Sequence, residues 1–180
     1  MIIMTRLIAL LGFVAFTTGA FGANVPTPDL AISFRIGDDP RPWKMVFTKG
    51  NREKIIAEFT IGGESIERWS EMVAQEIAFG RLSLSEHFNQ WKAMLRQADP
   101  KIVITEKQLP DGSLLATYDS MAFDELSVRR FMKGGDGVYM VAYHARHRSI
   151  DRERWKLWTT IVSESSLIPN PVKTQNKAGK

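Results

Sequence analysis

The chain has 180 residues, of which 44% are hydrophobic and 24% charged, so it has enough apolar material for the core of one domain. It contains no cysteine, which excludes disulfides, thiolate metal sites and a cysteine nucleophile. Arg6 and three lysines of the C-terminal tail account for the whole net charge of +4. The region between them therefore lacks the excess basic charge of a nucleic-acid-binding domain.

Residues 1–22 are typical of a signal peptide. Arg6 precedes the apolar run 7–16, and Ala20 and Gly22 supply small side chains for cleavage after Gly22; cleavage after Ala20 is the alternative. A helix of ten residues is about 15 Å long, half of the roughly 30 Å hydrocarbon core of a bilayer. We therefore expect a cleaved signal and an exported product, periplasmic or secreted, without a transmembrane segment.

The first half of the mature chain predicts strands followed by a helix. Residues 23–30 contain two prolines and are expected to form an extended lead-in. Alternating apolar and polar residues predict three strands, over 31–36, 43–48 and 55–61. A helix is then predicted from Ser65, as its N-cap, to Gly80. The apolar residues at the spacing of one helix face are Ile66, Trp69, Val73 and Ile77.

The second half predicts a helix, two hairpins and a last helix. Ser83 and Glu86 fit a capping box, and the helix that they open ends before Asp99-Pro100. The hairpin strands are expected over 102–108, 113–121, 126–133 and 138–146, with turns at 110–112 and 134–137. Ser149 is expected to cap a helix over 150–164, and residues 169–180 are expected to be disordered.

This order of elements predicts an α+β fold, with an antiparallel sheet of six to seven strands and helices on both of its faces. Residues 58–72 (EFTIGGESIERWSEM), the late hairpin 130–143 and the helix that carries Trp155 resemble the PsbP-like family. The resemblance covers residues 31–168 as a single domain and implies an α-β-α sandwich. It also implies a binding or accessory role, by analogy with members that assist larger complexes.

The residues that could carry chemistry favour structural interpretations, so we expect no catalytic, cofactor-binding or metal-binding residues. His144 and His147 are three apart, which on a strand places them on opposite faces, and the neighbouring arginines would repel a cation. The passage from Gly62 to Ser65 is a better turn than a phosphate cradle, because no lysine follows it and Glu64 would repel phosphate.

The second hairpin gives the main indication of a binding surface. If Lys133 pairs with Val138, Glu125 lies opposite Arg146 and is expected to form a structural ion pair with it. Arg130 is then the only charge on one face of this hairpin. The alternative to a purely structural cluster is a basic patch for an acidic partner. Its expected members are Arg129, His144, Arg146, Arg148 and Arg152.

Tryptophans offer a second candidate surface. Trp69, Trp91, Trp155 and Trp158 fall on predicted helix faces and are expected to pack in the core. Trp43 follows Pro40-Arg41-Pro42 and is the exception, since its loop is expected to leave it partly exposed.

The sequence therefore favours an exported, non-enzymatic module of the bacterial cell envelope that binds a protein partner or assists a complex. The alternative is a small-ligand-binding protein or a hydrolase whose site is assembled from distant residues. A stress or toxin-neutralising protein of the envelope would show the same features as the first hypothesis.

We predict a mature N-terminus near Ala23. The intact mass of the exported protein should correspond to a chain without its first 22 residues, because the cleavage motif ends at Gly22. An exported product that retains residues 1–20 would contradict this prediction.

Overall fold

The computed structural model describes residues 12–13 and 25–171. Its strands are β1 (Gly12–Phe13), β2 (Leu30–Phe34), β3 (Trp43–Gly50), β4 (Lys54–Ile61), β5 (Glu71–Phe79), β6 (Val103–Gln108), β7 (Leu114–Ser120), β8 (Glu125–Lys133), β9 (Gly137–Arg146) and β10 (Ser166–Pro169). Its two α-helices are α1 (Leu84–Ala98) and α2 (Arg152–Glu164), and two 3-10 turns lie at Ile36–Asp38 and His147–Ser149.

Seven strands form one antiparallel sheet in the order β3-β4-β5-β9-β8-β7-β6. The long pairing of β5 with β9 joins the two halves of this sheet, with Glu71 opposite Ala145 at one end and Phe79 opposite Gly137 at the other. A second, small antiparallel sheet is centred on β2, which pairs with β10 on one side and with β1 on the other.

The two faces of the main sheet carry separate apolar cores. On one face, called the α2 face here, Trp158 and Ile161 of α2 pack with Tyr139 and Tyr143 of β9, and β2 adds Ile32 to this layer. On the opposite α1 face, three buried side chains of α1 pack over the β7–β9 half of the sheet: Phe88, Trp91 and Leu95. β9 is buried on both faces from Gly137 to Ala145, as its continuous apolar sequence predicts.

The predicted α-β-α sandwich is wrong. The structure is mostly β, with a seven-stranded antiparallel sheet, a small second sheet and only two α-helices in the part of the chain that it describes. The layer on the α2 face is one helix beside a short sheet, and α1 covers only part of the other face. The antiparallel arrangement agrees with the prediction, and the seven strands lie within the predicted six to seven, but the predicted helical layers on both faces are wrong.

The main cause of this error is the segment predicted as a helix over 65–80. Only a short turn is present at its start, where Ser65 and Arg68 form an isolated bridge, and the remainder is strand β5. A spacing of four, as between Val73 and Ile77, places two side chains on one face of a helix and equally on one face of a strand. Met72, on the opposite face of β5, is buried as well, which marks a strand covered on both sides.

The second predicted helix is correct. Ser83 accepts a hydrogen bond from the Glu86 amide, and the Glu86 carboxylate accepts one from the Ser83 amide, so the capping box that opens α1 is complete. The last helix begins later than predicted, because Asp151 is its N-cap instead of Ser149. Asp151 accepts from the Arg154 amide, and its carboxylate also lies at the positive end of the helix dipole.

Several predictions concern the ends of the chain. Apart from Gly12–Phe13, the predicted signal peptide (residues 1–22) lies outside the described residues, as do residues 172–180 of the predicted tail. Pro169 belongs to β10, and the amide of Asn170 donates to Asp29, so the folded chain extends slightly beyond the predicted end at residue 168.

The two edge strands of the main sheet differ in regularity. In β3 the register shifts between Met45 and Phe47, which is a β-bulge, and Met45 and Val46 are exposed beside it. In β6 all six residues pair regularly with β7, and Glu106 and Lys107 lie on the exposed edge.

Trp91 and Trp69 were both expected to be buried on helix faces, but only Trp91 is. Replacing Trp91 with Ala should lower the free energy of unfolding by roughly 3–5 kcal/mol, because it empties the space between α1 and Phe131. Trp69 lies half-buried in the connection before β5, so its truncation should cost distinctly less. Equal losses for the two variants in urea denaturation would contradict this assignment.

Candidate functional site

The structure brings together three of the residues predicted for the basic patch. Arg129 of β8 and His144 and Arg146 of β9 all lie on the α1 face of the sheet. The predicted hairpin register is confirmed, since Lys133 pairs with Val138 and Glu125 with Arg146. This register places Ser127 opposite His144 and Ala142 opposite Arg129.

The other candidate residues lie elsewhere. Arg148 is exposed in the 3-10 turn after β9, and Arg152 is exposed in the first turn of α2, the helix that packs on the opposite face. Trp43 is half-buried on that opposite face, where its ring meets the edge of Trp158 at a centroid distance of 5.1 Å. The five-residue basic patch is therefore not one surface.

His144 is held by a buried carboxylate. Its Nδ1 lies 2.5 Å from Oε1 of Glu125, and the hydroxyl of Tyr118 donates to the same oxygen. Burial raises the pKa of Glu125, but His144, Tyr118 and Arg129 outweigh it and bring that pKa down to about 2. Glu125 is therefore ionised and only accepts, so the proton between the two residues belongs to Nδ1 of His144.

His144 is neutral under ordinary conditions. Burial lowers the pKa of its imidazole, and the charges of Arg129 and Arg146 lower it further against the opposing effect of Glu125. With the proton on Nδ1, the other ring nitrogen, Nε2, carries a lone pair. No hydrogen bond to Nε2 is formed by any residue that the structure describes.

Arg129 and Arg146 lie against tryptophan rings. The guanidinium carbon of Arg129 is 5.3 Å from the ring centroid of Trp91, and that of Arg146 is 4.0 Å from the centroid of Trp69. Trp69 also meets the edge of the His144 ring at 6.3 Å. These four residues, Arg129, Arg146, Trp69 and Trp91, are called the arginine–tryptophan surface below.

Neither arginine has a carboxylate partner within 4 Å among the described residues. Arg129 donates to two hydroxyls, Ser127 Oγ at 3.3 Å and Tyr118 Oη at 3.4 Å. Arg146 donates to the carbonyl of Phe123. The expected ion pair between Glu125 and Arg146 is therefore wrong, because Glu125 is occupied by His144 and Tyr118 although Arg146 lies opposite it in the register.

A hydrolytic role for this cluster lacks a nucleophile. A base oriented by a carboxylate would need a hydroxyl within hydrogen-bond distance of Nε2. Ser127 is opposite His144 and fully buried, but its Oγ accepts from Arg129 and does not bond to Nε2. Within residues 25–171 no group of three metal-ligating side chains is placed to hold a metal ion.

A second charged cluster, on the α2 face, was not predicted. The buried Glu71 accepts from both terminal nitrogens of Arg41 at 2.7 Å, from Arg154 at 2.8 Å and from the hydroxyl of Tyr143. Asp39 binds the other side of Arg41 and accepts from the Trp158 indole at 2.9 Å. The one sequence signal for this cluster was Glu71, an acidic residue beside the apolar residues of β5. Its partners could not be identified, because they come from distant parts of the chain.

A cavity of about 420 Å³ lies beside this second cluster, lined by Arg41, Arg154, Asp39, Asp151 and Leu157 among others. Its arginines are bonded to its own acids. Asp39 has a lowered pKa although burial acts to raise it, because Arg41 and Trp158 donate to it. The cluster therefore satisfies its own charges and needs no ligand to do so.

His147 forms a third polar site, half-buried in the 3-10 turn that follows β9. Its Nε2 lies 2.9 Å from Asp119 and its Nδ1 3.1 Å from Asp124, so both bonds need the doubly protonated ring. The hydrogen bond with Asp119, followed by that with Asp124, raises the pKa of His147. Asp124 has a positive φ of 51°, so this bond also holds a turn of unfavourable backbone conformation.

No protein-family model matches this chain, and neither a curated protein nor a solved structure is significantly similar to it. The resemblance to PsbP-like proteins therefore gains no support from known families. Neither helix of residues 25–171 is long and apolar enough to cross a membrane.

Replacing His147 with Gln should lower the free energy of unfolding more at about pH 5.5 than at about pH 8.5. The pKa of His147 is raised on folding, so its contribution is complete below the unfolded value of about 6.5 and is lost as the pH rises through the folded value. Urea denaturation at the two pH values measures the difference.

His87→Gln is the matched control. Burial lowers the pKa of His87, so its charged form is disfavoured in the folded state. The destabilisation caused by this substitution should shrink on acidification. A His147→Gln penalty that is the same at both pH values, or larger at the alkaline one, would show that the imidazolium does not hold the turn.

Proposed function

We propose that this chain is an exported, non-enzymatic protein-binding or accessory module of the bacterial cell envelope. The observation that carries the proposal is the pair Arg129 and Arg146, two half-buried arginines held on tryptophan rings without a carboxylate partner. Trp91 is buried and supports Arg129 from the core, and the surface that the two arginines form with the half-buried Trp69 suits an acidic region of a partner protein.

The chemistry of this surface favours protein recognition. Tryptophan and arginine are the residues that most often dominate the energy of protein–protein interfaces. A guanidinium already fixed on an aromatic ring loses little further side-chain entropy when a carboxylate binds it. Export and the accessory role rest on the sequence alone, through the signal-like residues 1–22 and the PsbP-like passage 58–72.

Small-ligand binding is the second candidate, favoured by the cavity beside Arg41 and Arg154. It is the weaker candidate, because both arginines are neutralised by Glu71 and Asp39. A ligand there would have to compete with buried charge-assisted hydrogen bonds that already exist.

The test is a double charge reversal, Arg129→Glu with Arg146→Glu, in the tagged mature protein. Partners are captured from the envelope of the source cell at about 50 mM and about 200 mM salt. We expect the variant to lose partner capture at low salt, and the wild type to show the same loss as salt rises, because exposed charge attraction is screened.

The control is Arg148→Glu with Arg152→Glu, which reverses two exposed charges outside the surface. It should capture partners as the wild type does. Thermal unfolding of each variant checks that it is folded, and Arg129→Gln with Arg146→Gln is the milder version if the reversal unfolds the chain. Capture that is unchanged in a folded variant would exclude this surface from binding.

A further inference from the structure

His144 has one ring nitrogen that the fold does not use. The imidazole is 96% buried, its Nδ1 is bonded to Glu125, and Nε2 has no hydrogen-bond partner in the described chain. Nε2 is not among the buried side-chain atoms that lack a partner in the described chain, so it keeps contact with solvent although most of the ring is covered. The fold therefore leaves this lone pair to water or to a ligand.

Arg129 is the neighbour that indicates which kind of ligand would bind at Nε2. It lies diagonally across from His144, because Ser127 is opposite His144 and Arg129 is two residues further along β8 on the same face. Burial is the main cause of the lowered pKa of the His144 ring, and the positive charge of Arg129 acts in the same direction. Its own hydrogen bonds are long and go to two neutral hydroxyls, which leaves guanidinium N–H groups for another acceptor.

An anion bound between these two groups changes the protonation of His144. In the free protein Nε2 is unprotonated, and its lone pair repels a carboxylate oxygen. A carboxylate is accepted only if Nε2 takes up a proton and donates it, while Nδ1 continues to donate to Glu125. The ring then becomes an imidazolium between two carboxylates, the arrangement that His147 already has between Asp119 and Asp124.

We propose that Arg129 and Nε2 of His144 together bind a carboxylate of the acidic partner, and that one proton is taken up at His144 when it binds. This inference rests on the function proposed above and names the chemistry of its central contact. No covalent bond forms or breaks: one proton passes from solvent to Nε2, and one carboxylate oxygen accepts it in a hydrogen bond.

The surrounding charges agree with uptake of one proton. The groups that act on the ring are Glu125 and Arg129 from β8 and Arg146 from β9, with Tyr118 of β7 bonded to Glu125. In the free protein burial has the largest effect on the pKa of the ring and keeps it neutral, and the two arginines act in the same direction against Glu125. A bound carboxylate supplies a second negative charge beside the ring, which favours the imidazolium.

The experiment is isothermal titration calorimetry of the full mature chain with a hexaglutamate peptide, in buffers of different ionisation enthalpy. One proton should be taken up per peptide bound near pH 7.5, and affinity should fall about tenfold for each unit of pH increase while the free ring stays neutral. His147→Gln, which lies outside the cluster, should bind with the same proton count.

His144→Gln keeps an amide that can donate to Glu125 but cannot take up a proton. It should bind hexaglutamate without proton uptake and at least tenfold more weakly near pH 7.5. Binding by the wild type without proton uptake would overturn the inference and leave the arginine–tryptophan surface intact as a binding site. Absence of hexaglutamate binding at low salt would also overturn it. The proposed function itself would be contradicted only if the folded Arg129→Glu, Arg146→Glu variant captured partners as well as the wild type does.

Discussion

The fold depends on one buried carboxylate, Glu71, at the start of the inner strand β5. It is bonded to Arg41 from the loop before β3, to Arg154 from α2 and to Tyr143 from β9, so four separate parts of the chain meet at two oxygen atoms. A carboxylate in this position is tolerated only because every lone pair has a donor. Arg130 has the matching role at the other end of α2, where its guanidinium binds the carbonyls of Ser163 and Ser165. The helix is thus fixed at both ends by charges buried under it, and its apolar side chains fill the space between.

The same physical logic explains why the arginines without carboxylate partners lie on the α1 face. On the α2 face the buried carboxylates Glu71 and Asp39 and the half-buried Arg41 satisfy one another within a single network. On the α1 face Glu125 is satisfied by His144 and Tyr118, and this leaves Arg129 and Arg146 with only neutral acceptors. The asymmetry arises because α1 covers only part of its face, so that the arginines keep their contact with water and need no internal counter-charge.

Much of the sheet could be predicted from local patterns, and its failures have identifiable causes. The hairpin register was predictable because a four-residue turn with three glycines pairs Lys133 with Val138, and this first pair sets every later pair of β8 and β9. Strand β5 was not, since a spacing of four residues is common to both periodicities and only burial of Met72 and Val73 together decides between them. Side-chain partners were the least predictable part. Register placed Arg146 opposite Glu125, but the carboxylate is bonded to His144, the diagonal neighbour on the same strand, and Arg146 donates to the Phe123 carbonyl instead.

The bulge in β3 determines how the domain can meet other proteins. A register shift at Met45–Phe47 twists the edge and breaks the regular row of backbone groups onto which a foreign strand could add. The opposite edge is regular, but a two-fold pairing of β6 with its own copy, centred on Glu106 or on Lys107, sets like charges against each other. Both edge strands of the main sheet thus resist the addition of a strand from another molecule. This resistance to edge-to-edge aggregation matters because the chain has no disulfides and its seven-stranded sheet has two edges.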